Sequence, residues 1–466
     1  MTLPASTAAT RLFGCRLPII LAGMGGVARS GLVGAVTAAG GFGFLGMVRE
    51  PVALIRREVE ALRRAGHDNF GVNIIPASTP PDLLEQQVAT LIDLRVPAVA
   101  LFWDIDAALV ARFRAAGIIV AYQVGTADEA VTAAQAGASL IIAQGVEAGG
   151  HVRGTVPLRD LLPAVVEAVD VPVLAAGGLA TGGDLLTALA LGADGIVLGT
   201  ALMATTESFA HDAHKRHLAA ATGADTILTD MFHLNWPRGA NVRVLKSAVT
   251  AGARGTPDAA PRTVIGDEEG RPIYLFSTDS PLRSMTGDFD AMALYAGTGV
   301  GQIREIVPAA ARLAAIMSDA VALLAATSAA DIPSSASAVC YAGEMSGDYM
   351  GTLDAAETAT LVATVEAGLA GLLRATLAAS KDATPFTGSA HALAAWCLAL
   401  RDMAGAAPRP AAPPADLAAL VSALSQAIPR LPEGAMRERL SQLRRVLDER
   451  LLRAIVAAPR FAVGAE

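Results

Sequence analysis

Eight short apolar runs recur along the first 200 residues, and their spacing limits most strongly what the chain can fold into. Each run is apolar throughout instead of alternating with polar residues, which is typical of parallel strands buried on both faces. Roughly 20 to 30 residues separate the starts of most neighbouring runs, enough for one crossover helix each. The runs are residues 18–24, 42–47, 70–75, 97–103, 118–124, 140–145, 171–178 and 195–200. Eight such units predict an α/β protein with a (β/α)8 barrel.

The segments between the runs carry helix signals. Residues 50–66 begin near Pro51 and end at Gly66, and residues 126–137 and 158–169 have similar patterns. An open, doubly wound sheet is the alternative architecture, and it predicts a GxGxxG turn directly after the first strand. That turn reads AGMGGVARSG and lacks the fingerprint. The barrel is therefore the favoured fold.

Nearly every run ends in residues that an apolar core does not select. These are Met24, Gly46, Asn73, Trp103, Gln123, Gln144, Gly177 with Gly178, and Gly199 with Thr200. A barrel gathers the carboxyl ends of all its strands around one mouth, where active sites of this fold lie. The sequence therefore predicts one site built from these strand ends.

Glycines follow the last two runs, in AAGGLATGGD and LGTALM, and each turn precedes a predicted helix. Free backbone N–H groups at two such neighbouring turns favour an anion, and barrels commonly bind phosphate there. Amide side chains at the same mouth, on Asn73, Gln123 and Gln144, suit the pyrimidine edge of a flavin. We therefore expect flavin mononucleotide (FMN). A sugar phosphate is the alternative, but it needs charged partners that the strand ends lack.

Four motifs in order, FGVNIIP, AQGVEAGGH, PVLAAGGLATG and GIVLGT, resemble the nitronate monooxygenase family, also called 2-nitropropane dioxygenases, and its flavin-dependent enoyl-reductase relatives. The resemblance covers residues 12–327 and implies an FMN-containing barrel with His151 as the catalytic residue. By motif it implies FMN contacts from Asn73, Gln144, Gly149, Gly178, Val197, Leu198, Gly199 and Thr200. The remaining glycines and mouth residues complete the predicted flavin set with Gly23, Met24, Gln123, Gly150 and Gly177.

The loop after the sixth strand separates this chain from another group of barrel enzymes. Inosine monophosphate dehydrogenases need a nucleophilic cysteine there, and the chain has no cysteine between Cys15 and Cys340. His151 occupies the loop instead. An unperturbed histidine pKa near 6.5 suits taking a proton from an acidic carbon, or hydrogen-bonding an anionic oxygen, at neutral pH.

Residues 205–295 depart from the strand–helix rhythm, and we predict that they form a cap inserted after the eighth strand. Candidate lid residues within it are His233, Trp236, Arg238, Asn241 and Arg243. The same segment contains His211, His214 and His217 at helical spacing, but no carboxylate or cysteine completes a metal site, so a solvated helix is the favoured interpretation and no metal is predicted.

Beyond residue 330 the composition shifts to Ala/Leu-rich helical patterns interrupted by a proline-rich stretch. We predict a first domain at residues 1–330, which is the FMN-binding barrel, and a helical extension at residues 331–466. The extension carries no recognisable chemistry, so homo-oligomer formation or partner docking is its expected role.

Composition narrows the class of protein. The net charge of −8 and the lack of clustered basic residues argue against nucleic-acid binding. Three distant cysteines and an N-terminus without a signal-peptide pattern indicate a reducing compartment, which we take as the cytoplasm. The uncharged stretch at residues 30–48 is split by glycines, so no membrane span is predicted.

Three functions remain open on the sequence. The first is oxidation of an alkyl nitronate with O2 to a carbonyl compound and nitrite. The second is an NAD(P)H-dependent reductase acting on a quinone or an enoyl thioester. The third is a non-catalytic flavoprotein scaffold. The EAGGH element does not separate the first two, because reductase relatives share it.

Overall fold

A computed structural model describes residues 6–237, 239–258 and 261–329. One compact unit contains the chain up to Leu323. The predicted helical extension at 331–466, with its proposed role in oligomer formation, lies outside the described residues.

Eight of the strands close into a parallel barrel in the order β1-β2-β3-β4-β5-β6-β8-β9, with β1 paired to β9. The (β/α)8 prediction is confirmed, and each barrel strand lies within the run predicted for it. The strands are β1 Ile19–Leu21, β2 Phe42–Gly46, β3 Gly71–Ile74, β4 Ala98–Phe102, β5 Ile119–Val124, β6 Leu140–Gln144, β7 Gly150–Val152, β8 Val173–Ala176, β9 Ile196–Leu198, β10 Thr226–Thr229, β11 Asn241–Leu245, β12 Val264–Glu268, β13 Arg271–Tyr274 and β14 Met285–Gly287.

Helices connect the barrel strands and end where the sequence signals end. Pro51 is the N-cap of α3, and Thr126 and Thr181 cap α6 and α8 through their side-chain oxygens. The helices are α1 Ala8–Phe13, α2 Ser30–Ala38, α3 Val52–Arg64, α4 Pro81–Asp93, α5 Ala107–Ala115, α6 Ala127–Gln135, α7 Leu158–Ala168, α8 Gly182–Ala190, α9 Thr200–Met203, α10 Asp212–Ala220 and α11 Ala309–Ala329.

The barrel interior is a packed core, which leaves the carboxyl ends of the strands as the place for a ligand. Residues of α1 close the opposite end: Phe13 stacks on Phe42 with ring centroids 4.2 Å apart, and both belong to the interior cluster. Val197 from β9 and Leu174 from β8 extend the same cluster. Burial of this apolar surface stabilises the barrel that positions the strand ends.

Residues 205–295 contribute two small antiparallel sheets. In the first, of order β10-β11-β7, β11 pairs with the short strand β7 that follows β6. In the second, of order β13-β12-β14, every strand comes from this segment. Through β7 the segment holds the loop that contains His151.

The chain returns to the barrel through α11, where Asp319 accepts a hydrogen bond from the Gly182 N–H at the start of α8. Among the described residues, none of the helices combines the length and apolar character that crossing a membrane requires.

Candidate functional site

A cavity of about 1440 Å³ opens at the carboxyl ends of the barrel strands. The predicted site residues that line it are Gly23, Met24, Asn73, Gln123, Gln144, Gly149, Gly150, His151, Gly177, Gly178, Val197, Gly199 and Thr200. Leu198 does not. Because successive side chains of a strand face opposite sides, Val197 faces the interior while Leu198 is fully buried in the barrel wall.

The glycine turns, which we define as Gly177–Gly178 and Gly199–Thr200, form one wall of the cavity. Gly177 and Gly178 have φ values of 115° and 72°, which side chains other than glycine rarely adopt. Within the described residues, the backbone N–H groups of Gly178 and Gly199 donate to no other protein group. Two unused donors therefore remain on this wall, as an anion-binding site requires.

A turn that sequence reasoning did not include packs directly against these glycines. The 3₁₀ turn Thr298–Gln302 packs so closely that a Cβ on Gly299 would lie 2.2 Å from the Gly178 oxygen. The Gly297 N–H donates to Thr200 Oγ1 at 3.0 Å. Both Gly297 and Gly299 line the cavity. The sequence AGTGVG at 296–301 is a second glycine-rich signal that could have identified this turn.

Asn73 and Gln123 present polar groups that the protein leaves unused. Asn73 Nδ2 donates to the Ala100 oxygen at 3.0 Å, but its buried Oδ1 has no partner within the described residues. The absence of a side chain on Gly23 makes room for Asn73, since a Cβ there would lie 2.1 Å from Asn73 Cβ. Gln123 lines the cavity and makes no side-chain hydrogen bond within the described part of the chain.

Gln144 differs, because both ends of its amide are engaged by the loop that follows it. Its Nε2 donates to the His151 oxygen at 2.9 Å, and its Oε1 accepts from the Arg153 N–H at 3.2 Å. Arg243 on β11 also donates to the Val146 oxygen of this loop. The contacts of Gln144 thus fix the backbone on which His151 lies.

His151 is half-buried beside three aromatic and cationic groups. Its ring stacks on Trp236 with centroids 3.5 Å apart, and Tyr295 lies 5.8 Å away. Its Nε2 is buried without a partner within the described residues. Burial of the imidazole, with the positive charge of Arg49 nearby, lowers the pKa of His151 to about 3. The ring is therefore neutral at physiological pH.

Arg49 also lines the cavity, and the two oxygens to which it donates belong to neutral groups. Its Nη1 donates to the Asn235 oxygen, and its Nη2 donates to Thr278 Oγ1 at 3.0 Å. The Tyr295 hydroxyl donates to the Thr278 oxygen at 2.8 Å. We call Arg49, His151, Trp236, Thr278 and Tyr295 the arginine corner.

The sequence model of the nitronate monooxygenase family matches residues 77–319, which is more than half of the chain. The chain belongs to the nitronate monooxygenase family. This confirms the resemblance drawn from the motifs and supports a flavin-dependent oxidoreductase.

Individual relatives agree with this membership. The nitroalkane oxidase structure from Streptomyces ansochromogenes is 33% identical with a TM-score of 0.58, over 69% of this chain and 100% of that one. A probable nitronate monooxygenase of Staphylococcus aureus is 28% identical over 51% of this chain and 79% of its own. The (3aS,4S,5R,7aS)-5-hydroxy-7a-methyl-1-oxo-octahydro-1H-indene-4-carboxyl-CoA dehydrogenase of Rhodococcus jostii is 37% identical over 48% of this chain, a match that spans 62% of that protein.

The histidines of the inserted segment hold structural positions in this family member. His211 caps α10, His214 Nε2 lies 3.1 Å from the Tyr295 oxygen, and His217 pairs with Asp290. No group of three potential metal ligands occurs among the described residues.

The candidate lid residues divide into those near the cavity and those elsewhere. Trp236 lines the cavity, whereas His233 Nδ1 bonds the Asp230 oxygen and Asn241 and Arg243 belong to β11. Arg238 lies outside the described residues. Sequence reasoning missed Arg49, Thr278 and Tyr295, which carry no motif and come together only in the folded chain.

Proposed function

We propose that the chain is an FMN-dependent oxidoreductase that oxidises an alkyl nitronate with O2 to a carbonyl compound and nitrite, in the cytoplasm. The observation that carries the proposal is a neutral His151 beside an arginine, facing the same cavity as the glycine turns. The similarity to a nitroalkane oxidase over its full length supports the choice of substrate class.

The residues present fit FMN. The unused N–H groups of Gly178 and Gly199 would hold its phosphate, and the unpartnered Asn73 Oδ1 and the Gln123 amide would bond its ring. Gly199 leaves open space, because a Cβ there would meet nothing closer than Met24 Sδ at 3.8 Å. When bound, FMN would accept electrons from the substrate.

His151 contributes as a neutral hydrogen-bonding group in this proposal. A histidine with a pKa near 3 is a weak base, so it is poorly suited to removing a proton from a neutral nitroalkane. A nitronate has already lost that proton. We therefore assign His151 to orienting the nitronate, while Trp236, stacked on its ring, excludes water from one face.

A second candidate is an NAD(P)H-dependent reductase for a larger substrate such as a quinone or an enoyl thioester. The observation that favours it is the extent of the cavity, whose volume of about 1440 Å³ has to hold FMN and the substrate together. The cavity reaches beyond the strand ends to Arg57 and Arg283.

The test supplies purified protein with ethyl nitronate, with neutral nitroethane, and with NADPH plus a quinone, and measures nitrite, O2 consumption and NADPH oxidation. We expect nitrite and O2 consumption with the nitronate at initial rates at least about 10-fold above those with the neutral compound, because the neutral form requires a general base. The flavin released on denaturation should be FMN. NADPH oxidation without nitrite formation would instead establish the reductase.

A further inference from the structure

We propose that Arg49 binds the substrate's negative charge: its guanidinium contacts the oxygens of a small planar oxyanion, a nitronate or carboxylate, beside His151. The inference rests on the proposed function for the location of the substrate and goes beyond it in naming the residue that binds the substrate's charge.

Arg49 is a cavity-lining cation without a carboxylate partner. No Asp or Glu oxygen lies within 4.0 Å of its guanidinium in the described part of the chain. Arg29 and Arg271 line the same cavity, and Arg29 has one carboxylate partner and Arg271 has two. The nearest acids are already engaged, since Glu50 pairs with Arg29 and Asp279 pairs with Arg271. The charge of Arg49 is therefore available to a ligand.

Its donors are only partly used. Nη1 and Nη2 each donate to one neutral oxygen, of Asn235 and Thr278, and Nε makes no hydrogen bond within the described residues. Arginine has five N–H donors in a planar fork that matches the two oxygens of a carboxylate or nitronate. Donors thus remain for a planar anion.

The backbone around Arg49 is held in an unusual conformation. Its φ of 57° lies in the left-handed region that non-glycine residues seldom adopt. The buried Gln87 side chain donates to the Met47 and Glu50 oxygens on either side of it. Strained residues that are fixed by their surroundings cluster at functional sites.

The neighbouring acids compensate the positive charge of Arg49 only in part, because Asp279 and Glu50 act on it from a distance and each pairs with another arginine. His151 is neutral, and burial raises the pKa of Tyr295, which keeps that phenol neutral as well. Burial also lowers the pKa of Arg49, so the surroundings disfavour its charge. An anionic ligand removes this penalty, whereas a neutral ligand leaves it in place.

The experiment compares propanoate with propanamide, its neutral planar isostere, as ligands of the FMN-loaded protein by titration calorimetry. Neither ligand reacts, so the readout is independent of turnover. The variants are Arg49→Met, Arg49→Lys, and Arg57→Met as the matched control, because Arg57 lines the same cavity but is exposed and paired with Glu58. FMN content and the unfolding midpoint are measured for each variant.

We expect the wild-type protein to bind propanoate about 10-fold or more tightly than propanamide, as charge-assisted hydrogen bonds predict. Arg49→Met should lose that preference, Arg49→Lys should keep part of it, and Arg57→Met should keep all of it. The inference is overturned if the wild type shows no preference, or if Arg49→Met retains it. If Arg49→Met fails to fold, an undiminished preference in Arg49→Lys overturns the guanidinium contact.

Failure of the proposed function gives a different result. Selective propanoate binding that depends on Arg49, in a protein that forms no nitrite from ethyl nitronate, would retain the anion site and reject nitronate oxidation. Nitrite formation with a KM for ethyl nitronate that is unchanged in Arg49→Met would retain nitronate oxidation and reject the anion site at Arg49.

Discussion

Two parts of the cavity lining, the glycine turns and the arginine corner, are built in different ways. The glycine turns come from consecutive strands, β8 and β9, and present backbone groups. The arginine corner presents side chains from segments far apart in sequence: the bonds from Arg49 to Asn235 and Thr278 span 186 and 229 residues. A site made of backbone groups is specified by a local sequence motif, whereas a site made of side chains depends on how distant segments of the chain meet.

Backbone strain follows the same division. In the glycine turns, glycine occupies the left-handed positions. Around the arginine corner, Arg49, Trp103, Asn235 and Phe276 have φ values between 57° and 80°. Those conformations cost free energy, on the order of 1–3 kcal/mol each, and persist only because neighbouring contacts over-determine them. The conformation of the arginine corner therefore depends more on contacts with other segments than that of the glycine turns does.

The largest expected effect comes from filling the glycine turns. Gly199→Ala places a Cβ where the protein has room, since its φ is −102° and the nearest atom is 3.8 Å away. The apoprotein should fold normally, but two hydrogen bonds to a charged phosphate should be lost, which weakens FMN binding by about 100-fold or more. Flavin fluorescence titration of the apoprotein measures the affinity.

Gly117→Ala is the control for that substitution. Gly117 has a φ of 76°, has open space around it, and does not line the cavity. It should lower stability by about 1 kcal/mol and leave FMN affinity unchanged. Normal FMN affinity in Gly199→Ala would mean that the phosphate lies elsewhere.

A smaller effect should separate two glutamines at the ends of neighbouring strands. Gln144→Leu removes both hydrogen bonds that hold the His151 loop, so kcat/KM for the nitronate should fall about 10-fold while FMN affinity is kept. Gln123→Leu, the matched variant, should instead weaken FMN binding by about 2- to 10-fold. Steady-state nitrite formation and flavin titration measure the two quantities.

The two glutamine variants can contradict the assignment made from geometry. Gln144 was predicted from its motif to contact FMN, and the structure shows its amide engaged within the protein. If FMN affinity falls in Gln144→Leu as much as in Gln123→Leu, Gln144 contacts FMN as its motif predicts.

The smallest expected effect is a pH profile without a histidine inflection. Because the pKa of His151 is lowered to about 3, its imidazole stays neutral as pH falls through the ordinary value near 6.5. We expect kcat/KM for preformed ethyl nitronate to be flat between about pH 5.5 and pH 8, measured as initial rates before the nitronate reprotonates. An inflection near the ordinary value that His151→Asn abolishes would show that the imidazole titrates, and would overturn the neutral orienting role assigned to it.

The barrel could be predicted in detail because its signals are local. Continuous apolar runs specify strands buried on both faces, and glycine or a capping residue marks where helices begin and end. The position of Leu198 has an equally local cause: it belongs to the matched motif, but the two-residue period of a strand turns its side chain away from the cavity.

The sequence by itself determined the barrel, the glycine turns, and the position of His151 after β6, because each depends on residues that are neighbours along the chain. Only the tertiary structure decided the ionisation of His151 and which residues surround it. Trp236 and Arg49 reach it through the pairing of β11 with β7 and through bonds between remote segments. A pKa reports the burial and charge around a group in space, and neither quantity is encoded in the residues adjacent to it in sequence.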